Sequence, residues 1–240
     1  MKKTKKISYY LVSGLGLLYL ALIFFPNFLF ANTFEYKNFK VHYHSEELDT
    51  QKLTSILDKS LSLLEGSELF EPQSEQEVFL CSSFGEFTLF APLARKSFAV
   101  NYPLAQHIFL SKSDIANNRI ERNGDTYNTR ILSSVIAHET VHSLLENRLG
   151  FLKYKLLPSW KNEGYSDFIA QETSYDANVG LQELCQGVEP SNSPSFKYFE
   201  YKTMTQHLFA DQKISMDNFL NEDFNLETLR KSFKGIHCQE

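Results

Sequence analysis

Between Asn128 and Gly150 the chain contains neither proline nor glycine, and Ile131, Leu132, Val135, Ile136, Val141, Leu144 and Leu145 recur at helical spacing. Such a stretch folds as one largely buried amphipathic helix. Within it lies His138-Glu139-Thr140-Val141-His142. Residues four apart on a helix share a face, so the two imidazoles can hold one metal ion, and Glu139 can reach a water molecule beside it. On a buried helix, two imidazoles without a ligand are costly to desolvate. The pattern points to a zinc hydrolase, the alternative being two histidines that merely fill a core.

Hydrolytic zinc sites take three protein ligands and leave the fourth position open. Leu145 and Arg148 stand where a metzincin would place its next Gly and His, which excludes that class. Downstream, Leu157-Pro158-Ser159-Trp160 leads into Lys161-Asn162-Glu163-Gly164-Tyr165-Ser166-Asp167. Ser159 is a candidate N-cap of a second helix, whose early turns place Glu163 and Asp167 on one face.

Here the chain resembles the gluzincins, both the thermolysin-like proteases with N-E-x-x-S-D and the zinc aminopeptidases with W-x-N-E-G. Residues 143 to 162 separate His142 from Glu163, within a residue or two of the family spacing. The resemblance covers residues 128 to 175 well and the remainder loosely. It implies one Zn2+ per chain on His138, His142 and Glu163, with Glu139 as general base. It implies that Asp167 accepts a hydrogen bond from a ligand histidine, His138 first, and that Asn162 braces the motif helix. Tyr198, nine residues before His207-Leu208, fits the aminopeptidase tyrosine that stabilises the oxyanion. Tyr201 competes for that role, and His207 or His237 would fill it on the thermolysin pattern. The strand from Gln106 to Ser111 resembles the gluzincin edge strand that pairs with an extended peptide. The aminopeptidases' G-x-M-E-N motif is absent, which favours an endopeptidase or an unclassified gluzincin.

Around these residues the pattern is α+β. Asn38 to His44 reads as a strand with Phe39, Val41 and Tyr43 inward and Lys40, His42 and His44 on a solvated face. Leu53 to Leu64 reads as an amphipathic helix ending near Gly66, Glu77 to Ser82 as a further strand, and Asn117 to Asn128 as a polar surface loop. The expected architecture is a zincin-like metallopeptidase domain, with a strand-rich N-terminal lobe and a helical C-terminal lobe, behind an N-terminal transmembrane helix.

That last expectation rests on the N-terminus. Lys2, Lys3, Lys5 and Lys6 are the only charges before Glu35, and the uncharged run is most apolar from Tyr9 to Phe25. The run is long enough to span a bilayer, with the lysines on the cytoplasmic side. Residues 1–31 are thus expected to form a basic tail and anchor or signal segment, contacting the membrane through residues 7–31. Residues 32–240 form the catalytic domain outside the cytoplasm. In the competing reading the segment is a signal peptide, cleaved near Ala31, and the domain is secreted.

Four of the 24 basic residues sit in that cluster, so the rest of the chain, facing 29 acidic residues, is markedly acidic. This argues against a nucleic-acid partner and leaves a peptide or protein substrate. Cys185 is expected to pair with Cys238 and Cys81 to be a buried strand residue, against the reading of three free thiols. The rival function is a catalytically inactive zinc-binding or chaperone-like extracytoplasmic interaction protein. Against it, a structural zinc site needs a fourth protein ligand and gives Glu139 no purpose.

Overall fold

The computed structural model of the chain describes residues 2–45, 47–124, 127–188 and 193–238, with side chains at residue 10 and from residue 12 onward. After α1 (Lys2–Phe24), strands β1 (Asn32–Tyr36) and β2 (Phe39–Tyr43) form a hairpin, followed by α2 (Thr50–Leu64) and β3 (Gln76–Leu80). Next come α3 (Phe84–Phe90), β4 (Ala99–Tyr102), β5 (His107–Leu110), β6 (Lys112–Asp114), β7 (Arg119–Glu121) and β8 (Thr129–Ile131). The remainder is helical: α4 (Leu132–Leu149), α5 (Phe151–Leu156), α6 (Ser159–Ala170), α7 (Ala177–Gln186), α8 (Pro194–Gln206), α9 (Met216–Asn221) and α10 (Leu226–His237). A π-helical segment, His207–Asp211, continues α8.

The strands form a five-stranded sheet of order β1-β2-β3-β5-β4 and a three-stranded sheet of order β6-β7-β8. β2, β3 and β5 run parallel, whereas β1 and β4 pair antiparallel to their neighbours. Alternation along the strands sends Val41, Val78, Ile108 and Leu110 into the main core with α2 and α4. The opposite phase, Phe79 and Phe109, together with Cys81 just past the end of β3 and not in a strand as expected, meets Phe30, Phe87, Phe90 and Ile23 in a second apolar cluster. Both faces of the sheet are therefore covered, as parallel pairing requires.

This second layer corrects several expectations. His42 is not on a solvated face: it is 2% exposed, stacks on Phe79, and its Nε2 lies 2.8 Å from Glu77 Oε2. Likewise β5 is not an edge strand, because it lies between β3 and β4, and β4 takes the edge. The stretch expected as a surface loop holds β7, and Asn118 beside it caps α4 by accepting the Ser133 N–H at 2.9 Å. Among the described residues no helix is long and apolar enough to cross a membrane, so the transmembrane helix expected within residues 1–31 is corrected. α1 takes the lysine cluster into its first turns. Its last turns are engaged by the domain: Ile23 is buried in the second cluster, its carbonyl accepts from His107 Nδ1 at 2.9 Å, and the Tyr19 hydroxyl donates to Phe90 O at 3.2 Å.

Cys185 and Cys238 are disulfide-bonded, joining α7 to the end of α10, and Cys81 is free and buried.

Candidate metal centre

α4 is the central helix. Every residue from Leu132 to Glu146 is buried, so the helix is enclosed on all sides, not on one stripe as its apolar spacing suggests. Its polar positions find partners inside the fold. Thr140 Oγ1 donates to Ile136 O at 2.8 Å, and Ser143 Oγ to Gln76 Oε1 at 3.0 Å on β3. Asn101 of β4 donates to Glu139 O and, at 2.9 Å, to Ser143 Oγ. These bonds fix the edge strand alongside the helix turn that carries His138 and His142.

α6 crosses α4 and supplies the downstream carboxylates. Pro158, not Ser159, precedes its first turn, and its carbonyl accepts the N–H groups of Lys161 and Asn162. Lys161 is buried over the rings of Trp160, Phe219 and Phe224, tying α6 to the C-terminal helices. Gly164 allows the next contact. A Cβ there would stand 2.6 Å from Tyr201 O and 2.5 Å from Thr205 Oγ1, so only glycine lets α8 approach this closely.

The two helices bring His138, His142 and Glu163 together, with one ligand atom of each lying within 4.8 Å of the others. Glu163 Oε2 is 3.3 Å from His138 Nε2 and 3.8 Å from His142 Nε2. The far nitrogens are held by acceptors: His138 Nδ1 lies 2.8 Å from Asp167 Oδ1, and His142 Nδ1 lies 2.9 Å from Asn162 Oδ1. With Nδ1 engaged in each ring, both Nε2 atoms face the Glu163 carboxylate, the positions from which they can ligate. Two imidazole nitrogens and one carboxylate oxygen, converging on a cleft, are compatible with a metal ion. Asn162 thus orients the His142 ring directly.

Asp167 is 1% exposed and accepts from Arg130 Nη2 at 2.9 Å as well as from His138. Arg130, on β8, also binds Glu172 through Nε at 2.9 Å and through the Glu172 carbonyl at 3.0 Å. Burial disfavours the Asp167 carboxylate, but Arg130 and His138 outweigh it and hold its pKa below the ordinary value. Burial likewise disfavours a charged His138, yet Asp167 and Glu163 raise its pKa to about 10. The Asp167 and Glu163 charges thus favour the protonated His138 ring. Glu139 has the reverse balance: burial dominates over the two histidines and raises its pKa. Glu163 is held low, since His142 and His138 overcome its burial.

Arg130 has no signal in the sequence beyond its buried partner. An Asp that is fully buried while serving a histidine needs a second cation, and that requirement could have prompted a search for one.

His138, Glu139 and Glu163 line a cleft of about 400 Å3 whose walls include Ala99 to Asn101 of β4 and Tyr198 of α8. The Tyr198 phenol is held protonated above its ordinary pKa by desolvation and by the Glu163 and Asp167 charges. Tyr201 meets α6 through its backbone. His207 and His237, the other candidates for an electrophilic role, line a different cavity. Set against known proteins, the sequence matches no protein-family model and no curated protein.

Proposed function

We propose that the chain is a zinc-dependent peptide hydrolase of gluzincin type. The observation that carries this reading is that Glu139 stands on the cleft wall beside the convergent His138, His142 and Glu163. A structural metal site would not need a buried carboxylate there with no ligand role. Zinc held by the three ligands would polarise the scissile carbonyl and acidify water. Glu139, whose burial raises its proton affinity, takes the proton of the attacking water as it adds to the carbonyl carbon. It then delivers that proton to the leaving amine nitrogen. Tyr198, protonated and lining the same cleft, donates a hydrogen bond to the developing oxyanion, worth about 2–4 kcal/mol at comparable sites. β4, the outer strand of the sheet among the described residues, pairs with an extended peptide in place of the strand expected at residues 106–111. The Cys185–Cys238 disulfide supports a location outside the reducing cytosol.

The test is zinc analysis of the purified chain together with hydrolysis of a mixed peptide library by the parent and by Glu139→Gln. We expect about one cleft zinc in both, and a loss of at least about 100-fold in hydrolysis for the variant. Zinc bound with no hydrolysis that depends on Glu139 would transfer the chain to the binding or chaperone-like class. A chain that binds no zinc would remove the metal from the reading altogether.

A further inference from the structure

Beyond the cleft, the last turns of the chain assemble a second set of metal-ligating groups. His207 and Asp211 begin and end the π-helical segment after α8, whose widened turn is closed by Gln212 N–H on His207 O at 3.1 Å. His237 is the last residue of α10. Asp211 Oδ2 lies 2.7 Å from His207 Nδ1 and 2.7 Å from His237 Nε2. One ligand atom from each of the three residues falls within 4.8 Å of the others. Single π turns inside helices concentrate at functional sites.

We infer that His207, Asp211 and His237 form a second site for a divalent transition-metal ion, independent of the cleft. Three features favour an ion over hydrogen bonds alone. First, two imidazoles and one carboxylate are a donor set that leaves coordination positions open, and these residues line a cavity of about 660 Å3 with room for water or an outside ligand. Second, the far nitrogen of His207 lies 3.0 Å from Ser232 Oγ, and in the tautomer that donates there the Nδ1 lone pair faces Asp211 and can ligate. Third, the Cys185–Cys238 disulfide is adjacent to His237 and anchors the end of α10 where the ligand is needed. His237 also stacks on Phe233 with centroids 4.6 Å apart, so the ring is oriented before any ion arrives.

Zinc chloride is the probe, and the full chain carrying His142→Ala, which disables the cleft, is the host. We expect this chain to bind one zinc and to melt at a higher temperature when zinc is present. Adding His237→Phe, which keeps the stack on Phe233, should weaken the remaining zinc at least about 10-fold and abolish the thermal shift. Asp211→Asn separates the two accounts, because Asn still accepts imidazole N–H groups but is a poor ligand. Metal-free stability should then be nearly unchanged while zinc affinity falls at least about 10-fold. The inference is overturned if the His142→Ala chain binds no zinc, or if its zinc is indifferent to both further substitutions. Neither outcome bears on hydrolysis in the cleft.

Discussion

Asp167 serves two cations at once, the His138 ring and the Arg130 guanidinium, through one oxygen. Buried as it is, its charge acts on His138 with little screening by solvent. In the metal-free protein the raised His138 pKa contributes stability that is full below the ordinary histidine value and is lost as pH rises through the elevated one. An incoming ion competes with a proton held on His138, so loading releases protons and affinity should rise with pH. Asp167→Asn is expected to cut metal affinity about 10–100-fold. It should also lower the number of protons released at pH 7, measured by calorimetry in buffers of different ionisation enthalpy. A purely structural role for Asp167 would leave the proton count unchanged. At this scale the pairing of His138 with His142 is legible from i, i+4 spacing on one helix, whereas spacing places Glu163 and Asp167 only on a common face of the second, and it is the gluzincin resemblance that implies their meeting with the histidines. Arg130 is not legible, because its partners lie 37 and 42 residues away and no local period reports such a pairing.

Helix contacts decide what the ligands face. α6 and α8 approach closely because Gly164 has no side chain, and Tyr198 of α8 lines the same cleft as Glu139. Gly164→Ala would drive its methyl into Tyr201 O and the Thr205 hydroxyl, and backbone on α8 can yield only by moving the helix. The expected cost is about 1–3 kcal/mol in urea unfolding. Peptide hydrolysis should fall further than zinc content, because Glu163 moves with α6 while Tyr198 moves with α8. Equal loss of zinc and hydrolysis would show that α8 has no separate part in the reaction. Strand order is the feature of this scale that sequence reading misplaces. His107 to Leu110 are all buried, the continuous pattern of an interior strand, whereas Val100 to Tyr102 of β4 are only half-buried, as suits an edge. Periodicity locates a strand but does not name its neighbours. His42 illustrates the same gap: its phase along β2 is read correctly, yet only the second layer from α3 and the end of α1 shows that this face is dry.

The molecule as a whole is held by a sheet covered on both faces and by ties at both ends of the described chain. At the N-terminal end, Ile23 and Phe30 belong to the second apolar cluster, so packing reaches back into the segment whose composition suggests a membrane helix. Composition reports apolar content but not its destination, and here protein supplies it for the last turns of α1. At the C-terminal end the tie is covalent. Cys185 and Cys238 are 53 residues apart, and closing a loop of that size restricts the unfolded chain by about 4 kcal/mol on the chain-entropy account. Within the loop lie α8 with Tyr198, the His207–Asp211 segment, and the aromatic contacts of α9 with α6. Reduction, or a Cys185→Ser and Cys238→Ser double variant, should therefore lower the urea midpoint by the equivalent of about 4 kcal/mol. The loss should spread to the cleft, because Trp160 and Lys161 lean on Phe219 and Phe224 inside that loop. Measuring zinc retention against urea with and without reductant checks this. If reduction shifts unfolding but zinc retention follows its former midpoint, the C-terminal helices unfold as a separate unit and do not support α6.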